Sequence, residues 1–246
     1  RPPVIGIDVG RQLFVDPFLI DSAASSGLTT TYHSPKYRDD VNPVLKPDQP
    51  WEGVMYKGHL DPNLAFASPF SGGMFFDPTA GHYKLWYRCG TGVQCLAYSD
   101  DGIEFTKPIF DVVNGTNIVQ TDPIDGSTVW LDLDEPDPAA RYKMAAVFAR
   151  NKYGAYTILH SADGVHWTVF LDKTGPIADR SSVFLNPLRR PRKWIYSIKS
   201  GPPPDTHGPF GRSRSYWESA DLGVGADWKS KYDHAWTNAD VFDPPW

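Results

Sequence analysis

Short apolar runs with strand character recur along the chain, separated by turn residues rather than by helical spacing. Residues 83–88 and 94–98 form two such runs and lead into Ser99-Asp100-Asp101-Gly102-Ile103-Glu104-Phe105-Thr106. Residues 141–146 and 155–160 form two more and lead into Ser161-Ala162-Asp163-Gly164-Val165-His166-Trp167-Thr168. The two endings share one pattern. Asp-Gly supplies a φ > 0 position and a side-chain cap, and the large aromatic three residues after the glycine is expected to tuck under the turn. A further strand precedes each copy, at Gly72-Gly73-Met74-Phe75-Phe76-Asp77-Pro78 and at Ser127-Thr128-Val129-Trp130-Leu131-Asp132. A third unit holds Ser181-Ser182-Val183-Phe184-Leu185-Asn186-Pro187, residues 193–198 and a worn ending at Ser219-Ala220-Asp221-Leu222.

Each unit therefore predicts three strands, a tight turn and a fourth strand. Self-similarity at roughly 40–50 residues, built from hairpin-joined strands, points to a β-propeller with one unit per blade. An ordinary β-sandwich, which also strings short strands at regular spacing, is the alternative. The reading is all-β: a five-bladed β-propeller to which this chain supplies about three blades, at residues 68–120, 125–175 and 179–235, plus N-terminal closing strands. The apolar run 12–20, broken by Asp16, has no hairpin partner beside it and is expected to pair into the last blade and close the ring. Three blades do not make a ring. Residues 1–246 are thus expected to be a single domain incomplete at its C-terminus, completed by a missing segment or a second chain.

Composition narrows the picture further. With 23 Pro and 21 Gly, turns are favoured over long helices, and a hydrophobic content of 41% suffices for a sizeable core. A net charge of −5 without a basic block argues against nucleic acid as partner, and no apolar run approaches the ~20 residues of a membrane span. Cys89 and Cys95 flank a turn, where they either bridge across a hairpin or pack as free thiols. Asn114-Gly115-Thr116 fits a glycosylation sequon, and the start at Arg1 without Met fits a processed product. The expected location is secreted or periplasmic.

The candidate chemistry comes from aligning the units. Asp125-Gly126-Ser127 falls over Asp179-Arg180-Ser181, so two carboxylates stand at the same place before the first strand of neighbouring blades. In a propeller those strands line the channel, and paired carboxylates over one pocket are what cleavage of a glycosidic bond needs: one as general acid, the other as base or nucleophile. Either aspartate could instead merely cap a turn. Arg180 could orient a carboxylate or bind a ligand hydroxyl. Glu218 is a further candidate acid, set against a plain ion pair with Arg212 or Arg214, and Asp16 must find donors or point into the channel. The long loop 201–212 carries His207 and Arg212 as possible specificity contacts, and Trp130, Trp194 and Trp217 are possible stacking platforms. The expectation is a glycoside hydrolase acting on carbohydrate without redox cofactor; the alternative is a non-catalytic carbohydrate-binding propeller, and a third reading is a protein-binding scaffold. No motif has metal-ligand spacing, although carboxylates around a channel would also suit a structural Ca²⁺.

At these residues the chain resembles a family. Leu13-Phe14-Val15-Asp16-Pro17-Phe18-Leu19-Ile20, Tyr32-His33-Ser34-Pro35, the Ser-x-Asp-Gly-x-x-aromatic turns, and Asp179-Arg180-Ser181 followed by Asn186-Pro187 resemble bacterial secreted proteins described as glycosyl hydrolase-like. These are related to the five-bladed propeller glycosidases of families 32, 43, 68, 117 and 130. The resemblance implies a funnel-shaped active site at the propeller axis, with acids from successive blades acting as base or nucleophile, transition-state stabiliser and general acid. Furanosides or fructosides are common substrates in that clan. The chain departs from better-studied members: it has no Trp-Met-Asn-Asp-Pro-Asn-Gly start and no Arg-Asp-Pro or Glu-Cys-Pro box, and Asp-Arg-Ser stands only loosely where such a box would. The carry-over is confined to Asp16, Asp125, Asp179 and Glu218. Similar proteins also continue past this chain's last residue, so the resemblance leaves room for an acid beyond it.

Overall fold

The computed structural model describes residues 19–21, 24, 26–29, 31–34, 40–57, 59–69, 72–152, 154–186, 191–200, 213–232 and 234–238. Asp16, the expected closing strand through residue 18, His207 and Arg212 lie outside the described residues. What is described is all-β, with three antiparallel sheets and a small hairpin, β1 (Val54–Tyr56) on β2 (His59–Asp61).

The first sheet holds β3 (Ala67–Ser68), β4 (Met74–Asp77), β5 (His82–Cys89), β6 (Val93–Ser99) and β7 (Ile118–Gln120). Here β3 and β4 share one edge of β5, β3 pairing at Cys89 and β4 from Leu85 to His82. The second sheet is a plain meander of β8 (Ile124–Leu131), β9 (Tyr142–Phe148), β10 (Thr157–Ser161) and β11 (Thr168–Leu171). The third repeats it with β12 (Ser182–Asn186), β13 (Lys193–Lys199), β14 (Ser213–Ser219) and β15 (Ala235–Asn238).

The repeated turns are built from identical bonds. Ser99 Oγ accepts from the amide of Gly102 at 2.8 Å, and Asp101 Oδ1 from those of Ile103 and Glu104. In the second copy Ser161 Oγ accepts from Gly164 at 2.8 Å, and Asp163 Oδ1 from Val165 and His166. The glycines have φ of 77° and 80°, where an L side chain is strained. The aromatics that follow do pack inward, Phe105 against Tyr87 and its neighbours and Trp167 against the core between the first two sheets.

Every residue of β9 is buried, because the second sheet is covered on both faces. Tyr142, Met144, Ala146 and Phe148 point to the first sheet and join Trp86 and Leu96. Ala145 and Val147, one step along the pleat, point to the third and join Trp194, Tyr196 and Ile198. Lys143 is buried in this run because its ammonium reaches Glu135 at 2.7 Å and the Ala140 carbonyl at 2.9 Å. The far face of the first sheet, with Tyr87, Ala97 and the Cys89–Cys95 disulfide, is covered by Leu45 and Trp51.

The sheets meet along their first strands, β4 against β8 and β8 against β12. Equivalent residues touch: Phe75 on β4 meets Trp130 on β8 with ring centroids 5.5 Å apart. At the ends of these strands Asp77 takes Arg141 at 2.6 Å and Asp132 takes Arg192 at 2.9 Å, each arginine coming from the next sheet. Since the closing ends of β4, β8 and β12 lie together, the three strands run in one direction and their leading ends lie together as well. No helix among the described residues is long and apolar enough to cross a membrane.

Candidate functional site

The leading end of β8 is bulged. Ile124 pairs with Phe148 and Gly126 with Val147, leaving Asp125 as the extra residue. A bulge of this kind turns a side chain out of the regular alternation. Asp125 is half-buried, and its carboxylate makes no hydrogen bond or ion pair among the described residues. Two residues on, buried Ser127 donates its hydroxyl to Gln94 Oε1 of the first sheet at 2.6 Å. Gln94 is itself 1% exposed, and its Nε2 has no hydrogen-bond partner.

The leading end of β12 is arranged differently. Asp179 is exposed and forms an ion pair with Lys199 at the end of β13. Arg180, also exposed, has φ 62°, a left-handed backbone uncommon for a side chain of this size. The turn is tied down by Ser181, which donates to the Ala178 carbonyl at 2.8 Å and accepts from the Lys199 amide at 2.9 Å. Asp125 and Asp179 therefore stand at the same end of two touching, codirectional strands, each two residues before a buried serine.

The other candidates lie elsewhere. Glu218 on β14 is opposite Ile195, four residues along β13 from Lys199, or about 13 Å toward the closing end. There it lines a cavity of about 650 Å³ with Asn186, Tyr216, His234 and Trp236, and the Tyr216 hydroxyl donates to its carboxylate. Trp217, one residue before it, faces the opposite side of the sheet: its indole donates to the Gly225 carbonyl at 2.8 Å and packs on Trp228. Trp130 and Trp194 meet each other edge to face at 6.1 Å, with Trp194 in the core.

Arg88 is a residue that sequence reasoning passes over. It is directly opposite Gln94 in the β5–β6 pair, on the face that carries Trp86 and Leu96 toward the second sheet. Its buried Nε has no hydrogen-bond partner, and among the described residues no carboxylate pairs with it; the guanidinium lies 5.6 Å from the Phe66 ring centroid. The one signal in the sequence is a cation directly after the apolar stretch Leu85-Trp86-Tyr87. Among the described residues no three His, Cys, Asp or Glu side chains form a group that could hold a metal ion.

No family model matches the chain, and no curated protein matches it. Among solved structures it is similar to the fructofuranosidase of Schwanniomyces occidentalis. A variant complexed with fructosylnystose matches at 11% identity over 64% of this chain and 44% of that one, with a TM-score of 0.29. The complex of this fructofuranosidase with fructose matches at 10% identity over 64% and 46%, with a TM-score of 0.27. The chain spans less than half the length of either structure that it matches.

Proposed function

We propose that the three sheets are consecutive blades of a five-bladed propeller and that the chain belongs to a glycoside hydrolase, cleaving a glycosidic bond at the leading ends of β8 and β12. The observation that carries this reading is the placement of Asp125 and Asp179 at one end of two adjacent, codirectional strands. Asp179, ion-paired with Lys199, takes the part of the ionised base or nucleophile. Asp125, which forms no ion pair among the described residues, takes the part of proton donor. Arg180 beside them binds a substrate hydroxyl. The buried Cys89–Cys95 disulfide supports a secreted or periplasmic location.

A second reading, a non-catalytic carbohydrate-binding propeller, draws on the same Asp179–Lys199 pair, since a carboxylate engaged by a lysine can hold a hydroxyl without attacking carbon. Release of reducing sugar from a panel of oligosaccharides separates the two. Hydrolysis requires that Asp125→Asn and Asp179→Asn each lose it by about 10²-fold or more. Full activity in both variants would remove the catalytic assignment, and binding without release would leave the second reading.

A further inference from the structure

We infer that the cavity of about 650 Å³ at the closing end of the third sheet is a carbohydrate-binding site, in which Trp236 and Tyr216 receive the apolar face of a neutral sugar ring and Glu218, Asn186 and His234 hold its hydroxyls. It lies at the opposite end of the sheet from Asp179 and does not depend on the cleavage proposed above. Its key residue is Trp236. In the pairing of β14 with β15, Arg214 is opposite Thr237 and Ser215 opposite Ala235, which leaves Trp236 as the extra residue of a bulge. The bulge takes the indole out of the regular alternation, and it is 55% exposed. Its ring meets that of Tyr216 at 5.7 Å between centroids and 63° between planes, so the two form adjoining walls. A lone exposed tryptophan needs no explanation, but one set by a bulge against a second aromatic in the lining of a cavity does.

Asn186, Glu218 and Tyr216 share one face of the sheet, opposite to the face that carries Trp194 and Tyr196 into the core. On their face Ile195, across from Glu218, is 1% exposed, and Ser197, across from Tyr216, is also buried, so the space is a cavity beside a covered sheet rather than a bare sheet face. The Tyr216 hydroxyl donates to Glu218 Oε1 and fixes the carboxylate against the aromatic wall; the Tyr216 amide donates to the His234 carbonyl at 2.8 Å and fixes the chain entering β15. A carboxylate accepts up to about four hydrogen bonds, and a carboxamide and an imidazole each donate and accept. The lining therefore suits a ligand with an apolar face and a rim of hydroxyls. A purely apolar ligand would strip water from Glu218 and Asn186 without replacing it, and an anionic one would meet the carboxylate. The volume falls in the range of about 300–1,000 Å³ usual for small-molecule sites and has room for a short sugar. The tryptophans that the sequence offers as platforms are spent elsewhere: Trp194 lies in the core, Trp130 meets it edge to face, and Trp217 bonds to Gly225 on the other side of the sheet.

Titration of the full chain with neutral gluco-, xylo-, manno- and fructo-oligosaccharides tests this, with the indole N–H resonance of Trp236 followed by NMR and assigned by its loss in Trp236→Phe. At least one series should shift that resonance to saturation. Measured calorimetrically with the same sugar, Trp236→Ala should weaken binding about tenfold and Trp236→Phe by less. Glu218→Gln should weaken it severalfold, because the charged acceptor is lost while the aromatic wall remains. A Trp236 resonance that none of the series moves, or affinity unchanged in a folded Trp236→Ala variant, would overturn the inference. The outcome is separable from hydrolysis: sugar release with an unmoved Trp236 resonance keeps the hydrolase and removes this site, and a shifted resonance without sugar release does the reverse.

Discussion

The indole N–H of Trp86 donates to the carbonyl of Gly164 at 2.9 Å, joining the central strand of the first sheet to the Asp-Gly turn of the second. The ring lies so close that a Cβ on Gly164 would stand 2.6 Å from Trp86 Cζ2. Gly164 is therefore held by two demands at once, a φ of 80° and a flat ring against its α-carbon. Gly102, its counterpart, meets only the first: φ is 77°, and its nearest neighbour, Tyr83 Cε2, is 3.9 Å away.

Gly102→Ala should thus cost only the left-handed penalty, about 1–2 kcal/mol, while Gly164→Ala should cost that plus a displaced ring, about 3 kcal/mol or more in all. Urea unfolding of the two variants checks the difference, and equal losses would show that the indole yields freely.

Asp77 should be a costly carboxylate to remove. It is buried between the Tyr142 hydroxyl, Arg141 and Lys84, whose side chain is 6% exposed. Asp77→Asn would leave the lysine buried without its counter-charge, a loss of about 3–5 kcal/mol. Burial pushes the Asp77 carboxyl up, but the Tyr142 hydroxyl, the Thr79 amide and the charge of Lys84 outweigh it and hold the group well below the usual range. A depressed carboxyl stabilises the fold above its unfolded pKa of about 4 and loses that contribution as pH falls below it. Acid unfolding of wild type should accordingly be steeper below about pH 4 than that of Asp77→Asn. Asp125→Asn, with no partner to lose among the described residues, should shift stability by no more than about 0.5 kcal/mol.

His166 is gripped at both ring nitrogens, Nδ1 by Asp163 at 2.7 Å and Nε2 by Asp111 at 2.8 Å, so that it ties the β6–β7 loop of the first sheet to the turn of the second. Hydrogen bonds to Asp163 and Asp111 raise its pKa above the ordinary value. Burial pushes Asp163 up, but its bonds to the His166 amide and ring bring it down to about 2. The raised histidine stabilises most below its unfolded pKa of about 6.5 and loses that as pH rises; the lowered aspartate stabilises above about 4 and loses it on acidification. The tie is strongest between those limits and, being exposed, modest in size. An NMR titration should place the His166 midpoint above 6.5 in about that scale and return it to the ordinary value in Asp163→Asn with Asp111→Asn; an unshifted midpoint in wild type would sink this account.

Cys89 and Cys95 are fully buried and bridged across the β5–β6 hairpin, closing a short loop. Replacing both with Ala should lower stability by about 2 kcal/mol while leaving the sheet intact, measured by thermal unfolding and circular dichroism.

Much of this architecture is visible in the amino acids. The Ser-x-Asp-Gly turns announce themselves because serine, aspartate and glycine each have a separate duty there, and Asp125 aligns with Asp179 because each precedes a buried serine by two. Other features depend on register. Glu218 and Trp217 are one residue apart, and only the pairing of Glu218 with Ile195 reveals that they face opposite sides of the sheet. The strand pattern does not announce β3, two residues long, which borrows the edge of β5 left free by β4. Arg88 and Gln94 read as a charged end and a polar start of two ordinary strands; their donors become conspicuous only when the second sheet is laid over them.

The forward-reaching arginines have one more implication. Because Arg141 reaches Asp77 and Arg192 reaches Asp132, each sheet adds to the charge balance of the one before it. Stability then resides in the junctions, much as in a linear array of repeats, and excising one sheet would weaken the seam it leaves behind as surely as the strands it removes.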